Sequence, residues 1–356
     1  MSSEKWLLRL LICIVCILCI LAGTVYTLDP YLQYRITDDS YYLHYRFVVP
    51  GIIKNADYDC AIIGSSMTQN FRMDDFREKL NVEPIKATVS GTTFTDLNTL
   101  TAMVQQAGKA SHYYICLDYS TFSSVPDPEE AILPSYLTDN SLWNDYRYWF
   151  GYETWMRFVP LDLAFLGLDA AGVDLLSRYQ NRMRIDQLEE WGGDFSFGEE
   201  IALSAYNPDD PYWELDTDTL PDLLRQNFLD YAATLDLSAG NYTFFFPPYS
   251  ACYFHGTDRY GYMDIYMDFK KFVTGYFDSC DNVRIFDFQS AEFTADMSNY
   301  KDITHYTLEI NSWMVDCFAT GAYQVSSETI EESILAAHQN LQAFRQRYAQ
   351  VLYPTP

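Results

Sequence analysis

Five short runs dominate this chain's pattern: "CAIIG" at 60–64, "IKATVSG" at 85–91, "YYICLDY" at 113–119, "YTFFFPPYS" at 242–250 and "VRIFDF" at 283–288. Each is rich in β-branched or aromatic residues and lacks polar alternation, as strands buried on both faces do. Between them, residues 74–80, 95–107, 220–235 and 262–276 carry the apolar spacing of helices. Alternating strands and helices predict an α/β domain over residues 55–325, with a parallel sheet covered on both sides. At 356 residues and 49% hydrophobic content, the chain has the material for that core.

The stretch 120–221 breaks the rhythm. It holds Trp143, Trp149, Trp155, Trp191 and Trp213 and helical fragments such as "VDLLSRYQNRMRIDQLEEW", and it is too long for a plain loop. An insertion packed over one end of the sheet, shaping a substrate pocket, is expected; the plainer alternative is an outer helical layer without a functional role. Residues 326–356 read as an amphipathic C-terminal helix, with Ile330, Ile334, Leu341, Phe344 and Tyr348 spaced for one face.

The N-terminus predicts how the chain meets a membrane. From Leu10 to Leu28 there is no charge, a run close to the about 20 residues that cross a hydrocarbon core as a helix. Lys5 and Arg9 precede it, which keeps residues 1–28 as a cytoplasmic stub and signal anchor and sends everything from Asp29 onward outside the cell. A cleaved signal peptide is the competing reading, but Ala22, Gly23 and Thr24 form no clean cleavage site. Residues 29–54, aromatic and irregular in pattern, read as a stem leading into the domain. A formal net charge of -26 excludes nucleic acid, whose phosphates are bound by clustered Lys and Arg.

Of eight cysteines, Cys13, Cys16 and Cys19 lie within the apolar run; Cys60, Cys116, Cys252, Cys280 and Cys317 are scattered and odd in number. No CxxC spacing occurs among these five, so no zinc site or disulfide framework is indicated, although one bridge of unassigned pairing stays open. Asp57, Asp59, Asp74 and Asp75 have no His or Cys beside them at ligand spacing and read as a solvated acidic face rather than a metal site. No cofactor is expected.

Ligands of open parallel sheets bind beyond the carboxyl ends of the strands. The first such end is Gly64-Ser65-Ser66 in "CAIIGSSMTQNF", where glycine supplies a loose backbone and serine a helix cap, or a nucleophile. A serine nucleophile needs a base in hydrogen-bond reach, itself held by an orienting group. Of the five histidines, His44 lies in the stem, His112 at the wrong end of a strand and His338 in the terminal helix, while His255 stays open on position. His305, beyond the last strand in "YKDITHYTLEINSWM", has Asp302 three residues before it, a spacing that puts carboxylate and imidazole on one face across a single turn.

A serine after the first strand and an Asp-x-x-His after the last resemble the SGNH (GDSL-type) hydrolases, and the chain is similar to their membrane-anchored extracellular branches, such as the D-alanyl-lipoteichoic acid biosynthesis and alginate acetylation proteins. The likeness covers most of 55–320 and rests on "IIGSSMT", Ser90-Gly91 and "DITH". It implies a flavodoxin-like three-layer α/β/α fold, with Ser66 as nucleophile, His305 as base, Asp302 as its orienter, and the Ser66 and Gly91 amides as oxyanion donors. Ser65 stands where the family usually carries an acidic residue. The family's third motif places an asparagine after the third strand, but here stand Asp118, Tyr119 and Ser120; an ionised Asp118 cannot donate, which leaves Tyr119 or Ser120 as substitutes.

Two functions follow. One is a membrane-anchored extracytoplasmic serine esterase or O-acyltransferase, acting on acyl esters of cell-envelope polysaccharide or a teichoic-acid-like polymer, with a multipass membrane acyltransferase as the partner the resemblance implies. The other is a catalytically inactive scaffold or carbohydrate-binding partner that retains the fold, using its abundant Tyr and Trp.

Overall fold

The computed structural model describes residues 3–36, 45–172, 196–207 and 216–352. All five expected strands are present: β1 (Cys60–Gly64), β2 (Pro84–Thr88), β3 (His112–Cys116), β4 (Asn241–Phe246) and β5 (Val283–Asp287). They form one sheet in the order β2-β1-β3-β4-β5 with parallel pairing throughout. A sixth strand that the apolar pattern does not announce, β6 (Gln324–Val325), is added antiparallel to β5. It is two residues long and half exposed, so it carries no buried run to be read.

After β1 the chain builds β2 on one side, then crosses to build β3 on the other. The carboxyl ends of β1 and β3 therefore flank the point where the winding reverses, the usual ligand crevice of such sheets. The interior is unusually aromatic. Tyr113 and Tyr242 stack at 4.4 Å across neighbouring strands, and Phe318 meets Phe245, Phe286 and Phe288. Much of the tyrosine content is thus core, each buried ring needing a partner for its hydroxyl: Tyr231 meets Thr101 Oγ1 at 2.9 Å, and Tyr300 donates to the Pro248 carbonyl at 2.9 Å.

The chain divides into two compact units, Met1–Ala56 with Leu133–Ile185, and Asp57–Ile132 with Asp186–Pro356. This corrects two sequence expectations. The stretch 120–221 is not a single insertion: its first residues and those described from 196 onward stay with the sheet unit, while residues 133–172 pack with the N-terminal segment. Residues 29–54 are not a bare stem, because Tyr45–Asn55 is a helix and Tyr31 stacks between Phe47 and Tyr148 at 4.8 and 4.6 Å. An aromatic cluster drawn from both segments gives each the apolar partner it lacks alone. The fragment 173–191 and Trp191, Trp213 and His44 lie outside the described residues.

Helix Ile330–Arg347 belongs to the sheet unit, burying Ile330, Ile334, Leu341 and Phe344 as the spacing predicts. Its Ser333 hydroxyl donates to Asp287 Oδ2 at 2.7 Å, and the same carboxylate pairs with fully buried Lys270 at 2.6 Å. The first unit contains the helix Ser3–Leu28, long and apolar enough to cross a membrane and almost wholly exposed.

Candidate active site

Gly64 ends β1 in a crowded place. A Cβ there would lie 2.8 Å from Cys116 Cβ and 2.8 Å from Thr68 Cγ2, so glycine is required by close approach and not, as expected, by a loose backbone. The turn that follows is a short helix, Ser66–Gln69, capped by Ser65, whose Oγ accepts from the Met67 amide at 3.4 Å. This turn lifts Ser66 to a half-exposed position at the strand tip.

The base reaches it from far along the chain. Ser66 Oγ lies 2.9 Å from His305 Nε2, and His305 Nδ1 lies 2.8 Å from Asp302 Oδ2. The carboxylate fixes the tautomer: Nδ1 keeps its proton, and Nε2 accepts from the serine hydroxyl. Asp302 and His305 do not sit on a helix turn as their spacing suggested. They occupy a tight loop closed by an antiparallel bridge between Tyr300 and Tyr306, just before helix Leu308–Thr320. Within the loop, Asp302 Oδ1 accepts from the Thr304 amide, the Thr304 hydroxyl and the His305 amide at 2.8, 3.1 and 2.8 Å. Burial alone would raise the Asp302 pKa, but hydrogen bonds from the His305 ring and amide and from Thr304 reverse that and hold it well below the usual carboxylate range.

Two residues that sequence reasoning passed over pin this loop. Tyr306 donates its hydroxyl to the Met67 carbonyl at 2.8 Å, and Ser250 donates to the Ile303 carbonyl at 2.5 Å. For Tyr306 the sequence signal is adjacency to His305; Ser250 has no adjacent site residue to mark it.

Gly91 lies in the turn after β2, with φ +68, a left-handed conformation that favours glycine. That turn is tied to the serine turn. Val89 N–H and Thr92 Oγ1 both donate to the Gly64 carbonyl, at 3.2 and 3.1 Å, and Ser90 Oγ donates to Gln69 Oε1 at 2.7 Å. Among the described residues, no acceptor engages the amide of Ser66 or of Gly91. Both are left able to bind a developing oxyanion.

The third strand tip contributes no such donor. Asp118 is buried and caps the turn Tyr119–Phe122. It accepts from Ser65 Oγ at 2.5 Å, from the Ser120 amide and hydroxyl at 3.0 and 2.8 Å, and from the Tyr249 hydroxyl. Ser120 thus spends its proton on Asp118, and buried Tyr119 spends its own on Gln289 Oε1 at 2.9 Å. Both hydroxyl protons are therefore already engaged. Asp118 instead braces Ser65, the residue before Ser66.

The other described histidines are elsewhere. His255 is buried in helix Ala251–Asp258, where Arg345 Nε donates to its Nδ1 at 3.2 Å. His112 opens β3 and His338 lies on the C-terminal helix. Asp74 and Asp75 are engaged by Arg77 and Lys79, and Asp59 accepts from the Glu83 amide at 2.7 Å. Among the described residues no group of three or more His, Cys, Asp or Glu side chains could hold a metal ion. All eight cysteines carry free thiols.

No protein-family model matches the chain, and no curated protein matches it.

Proposed function

We propose that the chain is a serine hydrolase or O-acyltransferase of the SGNH type, with Ser66 as nucleophile, His305 as general base and acid, and Asp302 as its orienter. The observation that carries this reading is the continuous contact from Ser66 through His305 to Asp302, at 2.9 and 2.8 Å, between groups 239 positions apart in sequence. The β2-β1-β3-β4-β5 order also supports a flavodoxin-like, three-layer arrangement.

In the reaction, Ser66 Oγ attacks the carbonyl carbon of an acyl ester while its proton passes to His305 Nε2. The carbonyl oxygen becomes an oxyanion held by the Ser66 and Gly91 amides. Collapse breaks the ester bond, and the leaving alcohol takes the proton from His305. Water or a sugar or polyol hydroxyl, deprotonated by the same imidazole, then attacks the acyl carbon, and the bond to Ser66 Oγ breaks as that oxygen takes the proton back from His305. The family resemblance supports acyl esters of an envelope polysaccharide or teichoic-acid-like polymer as substrate, and a multipass membrane acyltransferase as partner. With Lys5 and Arg9 inside, the helix Ser3–Leu28 serves as a single-pass anchor in the cell membrane and the catalytic unit is extracytoplasmic.

The test is labelling of the full chain with a fluorophosphonate probe, comparing wild type with Ser66→Ala and His305→Ala. The expected result is labelling that both substitutions abolish. A folded wild type that resists the probe would favour the second reading, an inactive scaffold or carbohydrate-binding partner, which draws its support from the third strand tip, where a saturated carboxylate replaces a donor.

A further inference from the structure

The first unit carries an apolar surface that the proposed chemistry does not use. Helix Val159–Ala170 is built inside out. Its outward positions include Pro160, Leu163, Ala164, Leu166 and Gly167, while Asp162, one of its two carboxylates, is buried with Oδ1 unpartnered among the described residues, the Asp169 side chain lying outside those described. A surface helix of a water-soluble domain has the opposite arrangement, with charge outside and apolar residues within. Just upstream, Trp143 is 92% exposed, and Tyr146, Tyr152 and Met156 are more than half exposed. Arg147 and Arg157 are exposed among them. Exposed apolar surface concentrated in one segment in this way marks a binding face.

Its place in the fold says what covers it. Helices Tyr146–Phe150 and Val159–Ala170 both pack against the N-terminal helix. The junction lies at that helix's C-terminal end: Val25 is buried, and Asp29 accepts from the Tyr148 hydroxyl at 2.9 Å and from the amides of Gln33, Tyr34 and Arg35 at 2.8 to 3.0 Å. Tyr34 donates to Asp145 at 2.9 Å and accepts from the Trp149 indole at 2.7 Å, which fixes the segment to this end of the helix. The end of a spanning helix is where a bilayer changes from acyl chain to headgroup, the depth that Trp and Tyr prefer. The helical segment that runs through Thr154–Phe158 into Val159–Ala170 carries exposed charge at Arg157, which suits it to the interface rather than to the hydrocarbon core.

We propose that residues 142–170 form a collar seated in the lipid interface at the foot of the N-terminal helix, with phospholipid as its ligand: acyl chains against Leu163 and Leu166, and headgroups at Trp143, Tyr146 and the two arginines. This rests on the N-terminal helix being a membrane anchor, and is independent of Ser66 chemistry. It makes the first unit a two-point attachment, a span plus an interfacial helix.

The test reconstitutes the full chain into phosphatidylcholine vesicles containing a phospholipid with a photoactivatable diazirine on its acyl chain, and maps the labelled peptides. The expected result is labelling of both the N-terminal helix and 159–170, with none in 262–276. The double substitution Leu163→Glu, Leu166→Glu changes only exposed positions; it should remove label from 159–170 and leave the N-terminal helix labelled. A labelled N-terminal helix beside an unlabelled 159–170 in wild type overturns the collar and spares the anchor. If that unlabelled segment is also protected from hydrogen exchange, a second copy or another protein covers it, which equally overturns the proposal. Absence of label from both segments overturns the anchor reading and the collar together.

Discussion

The hydroxyl of Tyr306 donates to the carbonyl of Met67 at 2.8 Å, joining the residue after His305 to the residue after Ser66. Both side chains are buried, and burial pushes the Tyr306 phenol well above its ordinary pKa, so it remains a neutral donor. One buried hydrogen bond thus sets how the base loop sits on the serine turn.

Tyr306→Phe should therefore keep the fold and misplace the base. Leaving the Met67 carbonyl unpaired costs about 1–3 kcal/mol of stability, and small misplacements of reacting groups cost up to about 100-fold in rate. Fluorophosphonate labelling should slow by roughly ten- to a hundredfold while circular dichroism stays native. Labelling at the wild-type rate would show that Asp302 and Ser250 suffice to place the loop.

Asp302→Asn should lower the labelling rate by about 10⁴ through loss of the correct imidazole tautomer. The sign of its pH effect follows from the depressed pKa. The ionised carboxylate contributes fully above the ordinary carboxylate range, and that contribution is lost only as pH falls below it. The Asp302 carboxylate should accordingly stay ionised throughout pH 5–8, about the range where proteins are most stable, read as a side-chain carboxyl carbon chemical shift that keeps its ionised value. A shift that moves to the protonated value toward pH 5 would mean Asp302 is titrating there.

Asp118→Asn offers a donor where the SGNH pattern has one, but into a site already filled with donors from Ser65, Ser120 and Tyr249. The amide must turn its nitrogen toward at least one of these groups. The expected outcome is a stability loss of about 1–3 kcal/mol and no faster labelling, measured by thermal unfolding beside probe kinetics. A faster variant would show that this carboxylate limits oxyanion binding.

His255 is held neutral in the fold, its pKa pushed down to about 4 by burial first and by Arg345 and Arg259 next, against a raising influence from Asp258. The unfolded chain takes up this proton near the ordinary value of 6.5, and the folded chain only near 4. Stability should therefore fall as pH drops from about 6.5 toward 4, and His255→Gln should flatten that slope in thermal unfolding at pH 7 and 5. An equal slope in both proteins would assign the acid sensitivity to other groups.

Local pattern was a good guide wherever a residue's environment is decided by its neighbours in sequence. A strand buried on both faces must be apolar over its whole length, so β1 to β5 stand out, whereas two-residue β6 buries too little to leave a trace. Gly64 was recognised as special, but its reason, contact with Cys116 and Thr68, belongs to a neighbouring strand and to the next turn.

The strand and helix order, the apolar N-terminal helix and the short list of candidate groups at the strand tips are legible along the chain, because periodicity and residue chemistry act locally. That Ser66 and His305 meet at 2.9 Å, that the Asp118 carboxylate is already engaged by Ser65, Ser120 and Tyr249, and that residues 133–172 pack with the N-terminal segment emerge only in three dimensions. Those outcomes turn on which buried donors find acceptors and which aromatic faces find partners far along the chain, and no run of neighbouring residues carries that information.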